Sequence, residues 1–107
     1  MRNDKTAHAL GLCAKARRIV CGTAQVCEAL SGQKKPCLVL ETSDNSENTA
    51  KRIADRCAFY QVERIRLQMD GDELASAIGK SSRVAVVAIT DENLCNLVRG
   101  TLREEHS

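Results

Sequence analysis

The segment IVCGTAQVCEAL, residues 19–30, reads as a short apolar strand that runs through Gly22 into a helix, with Arg17 and Arg18 immediately ahead of it. The amino end of a helix displays N–H groups without intrahelical partners and carries partial positive charge. Such a junction can receive a phosphate or the acceptor edge of a base. Lys34 and Lys35, in the basic loop QKKP after the helix, add charge to the same stretch of sequence. A plain helix whose arginines face water fits the same residues. The junction has neither the G-x-G-x-x-G of a dinucleotide site nor the G-x-x-x-x-G-K-[ST] of a phosphate-cradling loop, so no nucleotide cofactor is expected.

The other residue types that could do chemistry are poorly placed for it. Asp44, in ETSDNS after the second strand, sits where a receiver domain holds its phospho-accepting aspartate, but the first strand ends at Cys21 without the acidic pair that would hold Mg²⁺. In ITDEN, Thr90 or Asp91 reads as the cap of the last helix and Glu92 favours its dipole. A Cys or Ser nucleophile needs a base and an orienting group, and His8, on an early helix, is the only plausible imidazole. Glu104 and Glu105 pair two carboxylates in a polar tail, where nothing would shift their pKa. An enzyme is not expected.

Cys13, Cys21, Cys27, Cys37, Cys57 and Cys95 form no C-x-x-C pair and lie mostly within apolar patterns. They read as small buried thiols rather than a disulfide framework. With His8 and His106 off any ligand spacing, no metal site is expected either.

These residues must be positioned by one domain, because 107 residues cannot build two ordinary cores. With Phe59 and Tyr60 as the only aromatic residues, the core must be aliphatic, and most of the means of stacking unpaired bases are missing. No run approaches the roughly 20 apolar residues of a membrane span, and Met1 is followed by a polar stretch, so a cytoplasmic location is expected. The net charge of +2 hides an asymmetry: residues 1–37 hold seven Lys or Arg against two Asp or Glu, and residues 38–75 hold five against eight. A basic first third suits a polyanionic partner.

Apolar periodicity predicts a helix from Lys5 to Ala16, a strand at Ile19 to Cys21, and a helix capped by Thr23 that ends at Ser31-Gly32. CLVLET follows as an apolar run of strand length. A third helix buries Ala50, Ile53, Ala54 and Cys57, and VERIRL alternates as an edge strand does. Asp70 and Asp72 open a helix that stops at Gly79, VAVVAI reads as a strand covered on both faces, and the last helix turns Leu94, Leu97 and Val98 inward. Polar ends at about 1–4 and 103–107 are expected to fray. The alternation predicts an α/β chain: a three-layer α-β-α sandwich around a four-stranded mixed sheet.

In this order and spacing, LGLCAKARRIVCG, GTAQVCEAL, LVLETSDNSENTAKRI, CAFYQV and DELASAIGKSSRVAVVAITDENL resemble the kink-turn-binding large-subunit ribosomal protein family, and within it the bacterial YlxQ-like branch. The resemblance implies that Gly22, Thr23, Ala24 and Gln25 read sheared G·A pairs of a kinked RNA stem. It implies also that Ile78, Gly79, Lys80, Ser81, Ser82 and Arg83, before the last strand, contact nucleotides flanking the kink. Chemically, Gln25 can both donate to and accept from a base edge, while Lys80 and Arg83 can neutralise phosphates. The chain departs from the family at Ala24, where many RNA-binding members carry a polar or charged residue, and at Glu28, where many carry lysine. A carboxylate at 28 repels phosphate if it faces the RNA, and Arg17 and Arg18 would partly compensate. The expectation is a non-catalytic protein of the ribosome or translation machinery. Its expected partner is structured RNA, ribosomal or another kink-turn RNA, with ribosomal proteins as further partners and no membrane contact. The alternative is a protein-interaction module of the same fold.

Overall fold

Two adjoining strands, β2 (Leu38–Glu41) and β4 (Val86–Ile89), are buried along their whole length. β4 is a continuous β-branched and aliphatic run and β2 is one as far as Glu41, the composition of strands covered on two faces. The computed structural model describes residues 4–106. Edge strands β1 (Ile19–Cys21) and β3 (Glu63–Arg66) complete a mixed sheet of order β1-β4-β2-β3, antiparallel except for the β2–β3 pair. The polar-apolar alternation of β3 fits its edge position: Glu63, Arg64 and Arg66 face water and Ile65 is half-buried.

Period-two alternation divides the central strands between two cores. Leu38, Leu40, Val87 and Ile89 face α1 (Asp4–Lys15), α4 (Gly71–Ile78) and α5 (Glu92–His106) through Leu10, Cys13, Leu74, Ile78, Val98 and Leu102. Val39, Val86 and Ala88 face α2 (Thr23–Ser31) and α3 (Glu47–Tyr60) through Val26, Leu30, Ile53 and Cys57. The result is the α-β-α sandwich. No helix among the described residues is long and apolar enough to cross a membrane.

Three local expectations are corrected. Thr23 does not cap α2: it is the first helical residue, and the cap position is Gly22, which offers no side-chain hydrogen bond. The polar tail expected from 103 is helical as far as His106, with Leu102 buried and Lys5 Nζ paired to Glu104. The polar end expected at 1–4 lies outside the described residues apart from Asp4, which opens α1. Finally, not all six cysteines are thiols: Cys37 and Cys95 form a disulfide across a sequence separation of 58. Cys37 leads into β2 and Cys95 lies in the first turn of α5, a proximity that no spacing in the sequence announces. Cys13, Cys27 and Cys57 are buried and Cys21 is half-buried, all four free. Burial pushes the Cys57 thiol up to about 11, with the neighbouring Cys27 adding to the effect.

The disulfide closes a long loop, so in the chain-entropy account it stabilises the fold by about 4 kcal/mol. Denaturant titration with and without a phosphine reductant should show that loss on reduction; equal midpoints would mean that the bridge contributes nothing.

Candidate nucleic-acid interface

Gly22 leaves β1 with φ 97° and ψ 146°, a conformation that side chains other than hydrogen rarely adopt. Its N–H donates to the Val86 carbonyl at 2.9 Å and its carbonyl accepts from Val26 N–H at 2.9 Å, so the glycine joins sheet to helix without an intervening loop. A Cβ on Gly22 would lie 2.7 Å from Gln25 Oε1, because the Gln25 carboxamide folds back over the glycine. By contrast, Ser46 caps α3, Asp70 and Glu73 form a reciprocal capping box on α4, and Asp91 Oδ1 accepts from Leu94 N–H at 3.0 Å at the start of α5. Among α2 to α5, only α2 opens without a side chain on its free amide groups.

The loop between α4 and β4 faces this open end. Cys21, Gly22, Thr23 and Gln25 on one side and Lys80 to Ala85 on the other line a cleft of about 500 Å³. Lys80, Ser81, Ser82 and Arg83 are all exposed there. Burial raises the Cys21 thiol above its ordinary range, while the charge of Lys80, which lines the same cleft, works the other way.

A polar network holds the second wall. Glu41, at the end of β2, is completely buried, and its carboxylate accepts from the Arg64 guanidinium and from Asn45 Nδ2 at 2.9 Å. Ser43 N–H donates to the Met69 carbonyl at 2.9 Å. Asp44 then reaches across: Oδ1 accepts from Gly71 N–H at 3.2 Å and Oδ2 from the Arg83 guanidinium. The Arg83 side chain lies against Gly71, where a Cβ would sit 2.6 Å from Arg83 Cγ. Asp44 is therefore a positioning residue that ties the β2–α3 loop and the start of α4 to the cleft. The absence of an acidic partner on β1 argued only against phosphoryl chemistry. The arginine partner is what gives Asp44 its role, and it could be found only in three dimensions.

The expected site residues divide. Gly22, Thr23, Gln25, Lys80, Ser81, Ser82 and Arg83 come together in the cleft. Ala24 and Glu28 are exposed on α2 just outside it, Ile78 packs into the core, and Gly79 is the left-handed carboxyl cap of α4. Arg17, Arg18, Lys34 and Lys35 lie elsewhere. Thr90 N–H donates to the Arg18 carbonyl at 3.0 Å and Cys37 N–H to that of Ile89 at 2.9 Å, so both basic pairs sit at the Ile89 end of β4 while Gly22 sits at the Val86 end. The four residues of β4 separate the two ends by about 10 Å.

Desolvation opposes it, but the hydrogen bond and charge of Arg83 hold the Asp44 carboxyl below the ordinary range. The folded chain thus binds that proton more weakly than the unfolded one. The stabilisation is complete above the usual Asp value of about 3.9 and is lost as pH falls through the lower folded value. Carboxyl NMR should give Asp44 a midpoint below that usual value and return it upward in Arg83→Gln; a midpoint indifferent to the substitution would remove the pair.

At the level of fold, a structure of a Giardia lamblia 15.5kD RNA binding protein superposes with a TM-score of 0.78 at 16% identity, over 98% of this chain and 88% of that one. A Bacillus halodurans protein described as having unknown function superposes with a TM-score of 0.83 at 30% identity, over 92% and 97%. The RNA-binding protein YlxQ of Bacillus subtilis (strain 168) is 39% identical over 87 residues, 81% of this chain and 84% of that protein. Residues 4–98 match the ribosomal protein L7Ae/L30e/S12e/Gadd45 family as a whole, and with that match, the YlxQ identity and the shared sandwich, the chain belongs to that family.

Proposed function

We propose that this chain binds structured RNA of the translation machinery, a kink-turn or a related kinked duplex, ribosomal RNA included, and performs no catalysis. The observation that carries the reading is the uncapped amino end of α2 opening onto the Lys80–Arg83 loop across one cleft. The free amides of α2 and the Gln25 carboxamide present donors to base edges, and glycine at 22 lets a backbone approach closely. Lys80, exposed and without an ion-pair partner among the described residues, supplies positive charge. Arg83, held by Asp44, shapes the loop and contributes less net charge than its side chain suggests. The relative named for RNA binding and the family of ribosomal proteins support the same reading.

Glu28, one turn beyond Gln25, faces solvent outside the cleft and repels phosphate that runs along α2. The alternative, a protein-docking module, has in its favour the exposed Leu12 and Leu97, which both line a groove between α1 and α5.

Calorimetric titration with a kink-turn hairpin, beside the same hairpin with its tandem G·A pairs replaced by Watson-Crick pairs, tests the reading. Submicromolar binding to the first and at least about tenfold weaker binding to the second, about 1.4 kcal/mol, is expected. Equal, salt-sensitive affinity would reduce the site to a basic patch, and binding to neither would favour the docking module. In the same assay Gln25→Ala should lose about 1 to 3 kcal/mol and relax base preference; unchanged affinity would take Gln25 out of the interface.

A further inference from the structure

The core uses neither ring face of the only phenylalanine: Phe59, near the end of α3, is 78% exposed. Beside it lies the only tyrosine, Tyr60, with ring centroids 4.9 Å apart in an edge-to-face arrangement. Lys35 Nζ stands 5.3 Å from the Tyr60 ring centroid, bringing the α2–β2 loop onto the aromatic pair. Lys34 is the next residue in that loop, and Arg56 lies one helical turn before Phe59 and Tyr60, on the same side of α3. Among the described residues no carboxylate comes within ion-pair distance of Lys34, Lys35 or Arg56, whereas the guanidiniums of Arg64, Arg83 and Arg99 are all paired. Asp55 is the one acidic neighbour along this stripe of α3.

We propose that Phe59, Tyr60, Lys34, Lys35 and Arg56 form a second RNA contact, which stacks an unpaired base of a single strand and neutralises its flanking phosphates. The site lies at the Ile89 end of the sheet, the opposite end from the Gly22 cleft. Unneutralised cations around an exposed ring are the pattern of single-strand binding, in which stacking accepts any base and the backbone follows the charge. A protein hot spot would instead seat its aromatic anchor among apolar side chains that exclude water. The two-sided arrangement accounts for Lys34 and Lys35, which the cleft leaves unused. It does not depend on what the cleft recognises.

Because the chain has one tyrosine and no tryptophan, intrinsic tyrosine emission reports on Tyr60 alone. Titration with octauridylate at low salt should quench that emission saturably. Phe59→Ala, exposed enough to leave the fold intact, should weaken the strand about tenfold, and an abasic strand of the same length should bind more weakly by a similar factor. Lys34→Ala/Lys35→Ala should lower the slope of log affinity on log salt by about 1.4. Gln25→Ala should leave the titration unchanged, which separates this site from the cleft. Loss of quenching in Gln25→Ala, equal binding of the abasic strand, or indifference to Phe59→Ala overturns the proposal. Absence of any quenching overturns it as well and assigns the ring pair to a protein partner.

Discussion

A carboxylate with no exposure to water has to be neutralised where it stands, and Glu41 meets that requirement with Arg64 and Asn45. Leaving such a charge unpaired costs several kcal/mol, roughly 3 to 5, so the three groups behave as one unit. Arg64 comes from the neighbouring edge strand and Asn45 from the loop that follows β2. The knot therefore fixes the direction in which the chain leaves the central strand. That direction presents Asp44 to Gly71 and Arg83, and through them sets the wall of the cleft opposite Gly22.

The sheet separates two chemically different ends. At the Val86 end, free helix amides, a carboxamide and two serines face one another, and the strongest cation there is tied to an aspartate. Such a surface selects by hydrogen-bond geometry more than by charge. At the Ile89 end, Lys35 stands over the Tyr60 ring beside the exposed Phe59, and Lys34 and Arg56, neighbours along the chain and the helix, have no ion-pair partner among the described residues. Charge and stacking dominate there, with little discrimination among bases. A family built on a common sandwich can vary the two ends independently, because the central strands β2 and β4 between them are buried and line neither surface.

The departures at Ala24 and Glu28 take their meaning from this division. Both lie on the exposed flank of α2, outside the cleft that gathers Gly22, Thr23 and Gln25. A charge on that flank acts on an RNA backbone only within a Debye length of about 8 Å at physiological salt.

The alternation of helices and strands, the edge character of β3 and the double burial of β4 were legible in the sequence, because each is a local consequence of apolar spacing. So was the junction at Gly22, where a strand of three residues runs into a helix with no room for any other residue. The tertiary structure decided three further things. It joined Cys37 to Cys95 across 58 positions, paired Asp44 with Arg83, and moved Arg17, Arg18, Lys34 and Lys35 away from the glycine that they flank in sequence. The physical reason is common to all three. A strand or helix carries its two ends apart by its own length, so neighbours in sequence become opposite ends of the molecule, while packing of one layer on another brings distant positions into contact.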